Sequence, residues 1–169
     1  EGLEKIFLDE KPDGVVVYGD TNSTIAGALA AAKIYIPVIH IEAGLRSFNK
    51  AMPEELNRIS CDHMSTLLFT PTETGITNLS NEGFNLDHSP KATIDSPNVY
   101  HCGDIMYDNS LHFSEVADQF SSILDKENLK VNEFVLMTVH RDTNTDIAEN
   151  LEAIFSAVDE LSKEHNMTF

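Results

Sequence analysis

The chain has 169 residues, of which 41% are apolar and 23% charged, proportions that exclude disordered, collagen-like and coiled-coil classes. Basic residues number 11 against 28 acidic ones, so the net charge is −17, which speaks against partners held through phosphate backbones or anionic lipid: neither nucleic acid nor a membrane is expected. Only three of the basic residues are arginines, Arg46, Arg58 and Arg141.

A helical pattern carried by Leu3, Ile6, Phe7 and Leu8 stops at Lys11-Pro12-Asp13-Gly14. Val15-Val16-Val17-Tyr18 follows as a continuous apolar run, the composition of a parallel strand covered on both faces. Turn and capping residues at 19–23 lead into an Ala-rich helix from Thr24 to Lys33, and Pro37 to Ile41 reads as the next strand. Pro53 opens a helix toward His63, Leu67 to Phe69 is a third strand, and a short helix runs from Thr72 to about Asn81. Residues 85–98 read as a long polar loop with Pro90 and Pro97. After it come a strand from Val99 to Cys102, a helix from Asp104 to Leu124 with a break, a strand from Phe134 to Thr138, and an amphipathic helix from Asp146 to Glu164. This alternation implies an α/β fold with a doubly wound, mostly parallel sheet, and the change near Gly103 suggests a domain boundary.

Two cysteines, Cys61 and Cys102, make no disulfide framework, and no continuous apolar span of membrane length occurs, so the expected setting is cytoplasmic. The chain opens at Glu1 inside a helical pattern and stops at Phe169, and both ends read as cut from a longer protein. Cys61, His63, His101 and Cys102 fit no metal-binding template, no Walker loop is present, and no G-x-G-x-x-G follows a strand. Neither a metal nor a cofactor is therefore expected.

In open α/β sheets ligands bind beyond the carboxyl ends of the strands. Asp20 follows the first strand, Glu42 the second and His140-Arg141 the run from Phe134, while Glu54 opens the Pro53 helix with Arg58 four residues on. Converging carboxylates and a histidine can divide acid and base roles, and arginines beside them suit an anionic ligand. Simpler roles exist for the same residues. Asp20 would cap the helix that follows it, Glu42 would pair with Arg46, Glu54 would pair with Arg58 on one helix face, and His40 would be a packed core histidine.

Five motifs in order carry a resemblance: Gly19-Asp20-Thr21; His40-Ile41-Glu42-Ala43-Gly44-Leu45-Arg46; Pro53-Glu54-Glu55-Leu56-Asn57-Arg58; Phe69-Thr70-Pro71-Thr72-Glu73; and Thr138-Val139-His140-Arg141. Together they resemble the non-hydrolysing UDP-N-acetylglucosamine 2-epimerases. The resemblance implies a GT-B-like pair of Rossmann-like domains, only partly present in this chain. Residues 1–103 would be the C-terminal part of the first domain and 104–169 the start of the second, UDP-binding one. It further implies interconversion of UDP-N-acetylglucosamine and UDP-N-acetylmannosamine through elimination and re-addition of UDP, feeding surface-polysaccharide synthesis, without a cofactor and in a homodimer. Asp20, Glu42, Glu54 and His140 would be catalytic, and Arg46, Arg58, Arg141 and Asn144 would bind the UDP-sugar.

The chain departs from the family pattern at His140-Arg141-Asp142-Thr143-Asn144, where only Asn144 of the usual string after His-Arg is kept, at Gly103-Asp104, and in the length of the 85–98 loop. The family's first strands would lie upstream of Glu1 and most of its second domain downstream of Phe169, so the isolated piece is expected to be inactive. Alternative readings are the hydrolysing 2-epimerase, a GT-B glycosyltransferase and a non-catalytic UDP-sugar binding module.

Overall fold

The computed structural model describes residues 1–169. Helix α1 (Gly2–Glu10) ends where Lys11 turns left-handed at φ 50° and its N–H returns to the Phe7 carbonyl at 2.9 Å. Strand β1 (Val15–Tyr18) leads to α2 (Asn22–Lys33), whose N-cap is Thr21, its hydroxyl accepting from the Thr24 N–H at 3.3 Å. Then come β2 (Val38–Ile41), α3 (Pro53–His63) with proline in its first turn, and β3 (Leu67–Thr70). Thr72 caps α4 (Glu73–Asn81) by accepting from the Gly75 N–H at 3.0 Å, and β4 (Asn98–His101) follows the polar loop.

The four strands form one parallel sheet in the order β1-β2-β3-β4. Right-handed crossovers that step always in one direction lay their helices on one face. The core sits there in two patches, one of Val17, Ala28, Ala31, Val38 and Cys61 and one of Ala43, Leu68, Leu79 and Val99. The register puts Val16, Ile39 and Leu67 in one row of the opposite face, and Tyr18, Ile41, Phe69 and Tyr100 in the next. Val16 is 52% and Tyr18 61% exposed, so within residues 1–169 the apolar run of β1 is covered on one face. Progressive strand order is the reason: within these residues no crossover reverses direction to supply helices to the second face.

Two glycines let α4 close against the loop after β2. Gly44 takes φ 78° and an added Cβ would lie 2.6 Å from the Gly75 carbonyl oxygen, while a Cβ on Gly75 would run into the Thr70 hydroxyl. The Asn78 amide donates to the Gly44 carbonyl at 2.9 Å and completes this contact.

The expected break in the long helix separates α5 (Ile105–Phe120) from α6 (Ile123–Lys126), and α7 (Asp142–Thr145) precedes α8 (Ala148–His165). The strand expected from Phe134 to Thr138 is not formed. Phe134 makes one isolated parallel bridge to Thr168, and Val135 donates to the Thr168 carbonyl at 2.8 Å. A strand exists only through its neighbours, and within residues 1–169 this segment has none beyond Val135.

The chain gathers into two compact units, Glu1–Leu111 and His112–Phe169, dividing inside α5 beyond the Gly103 turn. The helices α5 to α8 bury no residue completely.

Candidate functional site

The carboxyl ends of β1 and β2 lie side by side, because Tyr18 pairs with Ile41 and the Gly19 N–H donates to the Ile41 carbonyl at 3.0 Å. One residue further on, each strand delivers a carboxylate. Asp20 Oδ2 lies 2.7 Å from Arg58 Nη2, and Glu42 Oε1 lies 3.2 Å from the same nitrogen. A single guanidinium thus joins both acids and offsets their mutual repulsion. Glu42 holds φ 74°, a left-handed conformation that is uncommon for a residue with a side chain and marks strain retained at a site. Arg58 Nε is buried with no hydrogen-bond partner.

These contacts decide among the simpler roles. Thr21, not Asp20, caps α2. Glu42 pairs with Arg58 rather than Arg46, and Glu54, four residues before Arg58 on α3, is half-buried and forms no ion pair with it. Glu42 also lines a cavity of about 170 Å³ together with Tyr18, Ile41, Pro71 and Met106.

Helix α3 is the frame for both loops. Asn57 Nδ2 donates to the Asp20 carbonyl at 2.8 Å and to Asn22 Oδ1 at 3.1 Å. Glu55 accepts from the Ser47 N–H at 2.7 Å, the Ser47 hydroxyl at 3.0 Å and the Phe48 N–H at 3.0 Å. Burial alone would push the Glu55 carboxyl up, but these donors and the nearby Arg46 charge hold it below the usual carboxylate range.

Asp62, two turns beyond Glu55 on the same stripe of α3, accepts from His40 Nδ1 at 2.6 Å, from the Gly44 N–H at 3.1 Å and from Arg46 Nη2 at 2.7 Å. Arg46 continues the network to Glu82 through two bonds of 2.7 Å. His40, fully buried as expected, is not a bland core residue. Its Nε2 faces the Gly19 carbonyl at 2.8 Å while its Nδ1 faces Asp62, so both ring nitrogens meet acceptors and both carry protons. Burial would lower its pKa, but the Asp62 hydrogen bond and charge, with a contribution from Cys61, raise it to about 10. Burial likewise opposes the charge on Arg46, and the bonds to Glu82 and Asp62 outweigh it, holding the guanidinium above its ordinary range.

Of the site residues expected from the sequence, Asp20, Glu42 and Arg58 meet, and Glu54 stands on the same helix as Arg58. Arg46 was expected at the ligand, yet its side chain is 1% exposed and committed to Asp62 and Glu82. A guanidinium sealed between two carboxylates has no face left for a phosphate. His140, Arg141 and Asn144 belong to the second unit, the first two exposed and Asn144 half-buried, with the Asn144 N–H on the Arg141 carbonyl at 2.8 Å. The sequence pattern assigns no contact to Asp62, Glu82 or Asn57. The seven-residue spacing from Glu55 to Asp62, which puts both on one helix stripe, is the signal that points to Asp62.

The profile of the UDP-N-acetylglucosamine 2-epimerase family matches residues 1–169. A UDP-N-acetylglucosamine 2-epimerase homolog of Methanococcus maripaludis is 51% identical over 156 residues, which are 92% of this chain and 41% of that protein. The UDP-2,3-diacetamido-2,3-dideoxy-D-glucuronate 2-epimerase of Pseudomonas aeruginosa is 46% identical over 159 residues, 94% of this chain and 41% of that protein. The crystal structure of Methanocaldococcus jannaschii UDP-GlcNAc 2-epimerase, in complex with UDP-GlcNAc and UDP, superposes with a TM-score of 0.79 at 38% identity, covering 98% of this chain and 43% of that one. Such neighbours have the GT-B architecture, and the chain spans about two-fifths of the length of these relatives. Carboxylates at the ends of adjacent parallel strands, the motifs around them and the match over every residue agree: the chain belongs to the UDP-N-acetylglucosamine 2-epimerase family.

Proposed function

We propose that the full-length protein interconverts UDP-N-acetylglucosamine and UDP-N-acetylmannosamine without hydrolysis. The observation that carries the reading is the pair Asp20 and Glu42, delivered by neighbouring strand ends onto one arginine. A carboxylate removes the C2 proton, the C–H electron pair forms the C1=C2 double bond, and UDP departs with the electrons of the C1–O bond. UDP then adds back to C1 of the 2-acetamidoglucal while a proton returns to the opposite face of C2. Atoms and charge balance without any co-reactant. A sugar C2 proton is weakly acidic, so the base must be held close and the leaving diphosphate stabilised electrostatically.

In this reading Asp20, Glu42, Glu54 and His140 handle protons, and Arg141 and Asn144 contact the UDP-sugar. Arg58 acts by holding Asp20 and Glu42, and Arg46 supports the site from inside. Residues 1–103 close the first Rossmann-like domain and 104–169 begin the UDP-binding one. No helix is long and apolar enough to cross a membrane. We assign the enzyme to the cytoplasm, as a homodimer serving polysaccharide synthesis. The 169 residues alone, at about 41% of the length of their relatives, are inactive in this reading.

The test is incubation of full-length protein with UDP-N-acetylglucosamine in heavy water, followed by NMR. Deuterium at C2 of a UDP-linked product supports the epimerase. Absence of exchange refutes it, and free N-acetylmannosamine transfers the enzyme to the hydrolysing branch. A second reading concerns the sugar. Relatives named for either sugar match well, the Methanococcus maripaludis UDP-N-acetylglucosamine 2-epimerase homolog at 51% identity and the Pseudomonas aeruginosa protein at 46%, so a UDP-sugar with a second acetamido group and a C6 carboxylate is the second candidate substrate. A higher kcat/KM with UDP-2,3-diacetamido-2,3-dideoxy-D-glucuronate in the same assay would select it.

A further inference from the structure

We propose that His40 and Asp62 are positioning residues whose shared hydrogen bonds set the placement of Asp20 and Glu42 for proton transfer, an inference that rests on the 2-epimerase reading. The carboxylates sit on two separate loops that must keep a fixed spacing although neither belongs to a helix or strand. Each loop is pinned through its backbone. His40 Nε2 donates to the Gly19 carbonyl at 2.8 Å, which fixes the peptide that leads into Asp20. Asp62 Oδ2 accepts from the Gly44 N–H at 3.1 Å, which fixes the turn that Glu42 opens. The 2.6 Å bond between His40 Nδ1 and Asp62 Oδ1 joins the two pins into one post rooted in β2 and α3.

Three features separate this post from ordinary core packing. Both side chains are completely buried, so the bonds are neither exchanged with water nor screened. The imidazole uses both nitrogens as donors, a requirement that a merely space-filling residue would not impose. The same helix that carries Asp62 also carries Asn57, which donates to the Asp20 carbonyl at 2.8 Å, and Arg58, which touches both carboxylates. Backbone and side chain of Asp20 are therefore all referred to one rigid body. Misplacing a catalytic group by about 1 Å costs on the order of 100-fold in rate, so loss of a pin is expected in kcat and not in affinity.

Two substitutions of His40 divide its two bonds. His40→Gln places an amide nitrogen where Nε2 stood and keeps a donor for the Gly19 carbonyl, whereas His40→Asn places one where Nδ1 stood and keeps only the bond to Asp62. In the full-length enzyme, kcat per folded molecule is expected to fall about 100-fold in His40→Asn and less than about 10-fold in His40→Gln, with KM within about threefold in both. Melting temperatures and folded fractions are measured alongside. Activities that simply follow the folded fraction, or equal kcat losses in both variants, overturn the positioning role. If neither variant folds, 15N shifts of the histidine ring in the unmodified enzyme decide. Two protonated nitrogens at about pH 8 support the double donation, and a ring with one bare nitrogen overturns it. An unmodified enzyme without C2 exchange would overturn the epimerase reading and this inference together, whereas an active enzyme indifferent to His40 overturns the inference alone.

Discussion

Replacing Asp62 by asparagine keeps its shape and removes its charge, leaving one acceptor oxygen for three donors: His40 Nδ1, Arg46 Nη2 and the Gly44 N–H. If the amide oxygen turns to Arg46 and Gly44, its nitrogen faces His40, which can accept only by giving up the Nδ1 proton. His40 then becomes neutral, and burial, no longer opposed, takes its pKa below the ordinary 6.5. In the unaltered protein His40 is raised from 6.5 to about 10, so its pairing stabilises the fold fully below about pH 6.5 and is lost as pH rises through 10. The slope in that window is at most about 1.4 kcal/mol per pH unit, and its sum is of the same order as the roughly 3–5 kcal/mol lost when a buried ion pair is deprived of one partner. With asparagine the sign reverses: stabilisation is complete above about pH 6.5 and lost as pH falls. Urea midpoints of the full-length protein and the Asp62→Asn variant at about pH 5, 7 and 9.5 measure both effects. The variant should be several kcal/mol weaker at neutral pH, and that deficit should shrink toward alkaline pH as the unaltered protein loses its advantage. A deficit that stays constant across the range would refute the assignment of a charged His40.

Three further outcomes follow from the site. Glu54→Gln should lower C2 exchange by about 100- to 10,000-fold while UDP affinity, read by calorimetry, stays within about threefold; retained turnover removes Glu54 from the proton carriers. Arg58→Met leaves Asp20 and Glu42 without their shared cation and should cost about 100-fold in kcat, with Arg58→Lys recovering only part because an ammonium does not reproduce the planar fork. A fully active Arg58→Met enzyme would show that the shared contact has no catalytic weight. Gly75→Ala drives a Cβ into the buried Thr70 hydroxyl and should cost about 1–3 kcal/mol, measured as a lower urea midpoint; an unchanged midpoint would mean that α4 does not approach the loop so closely.

Local order was legible where residues carry their own instructions. Thr72 and Pro53 mark helix starts, a break within the 104–124 helix is legible though its position is not, and the four strands β1 to β4 coincide with short apolar runs. The run from Phe134 to Thr138 shows the limit of that legibility: its apolar residues are those of a strand, but pairing depends on a neighbouring chain segment, and only Thr168 supplies one. The Val15–Tyr18 run makes a related point: within residues 1–169 only one layer lies on it. Its composition is that of a strand enclosed by two layers, whereas coverage depends on which way successive crossovers step.

The sequence by itself determined the alternation of strands and helices, the acidic residues at the strand ends and the order of motifs that ties the chain to its family. Tertiary structure alone decided who pairs with whom. Glu54 and Arg58 stand at the favoured helical spacing, yet an exposed pair of that kind is worth only a few tenths of a kcal/mol. Arg58 instead meets Asp20 and Glu42, and Arg46, close in sequence to Glu42, is drawn to Asp62 and Glu82. A charge removed from water must find a partner wherever the packed chain brings one, and that choice is made across elements rather than along them.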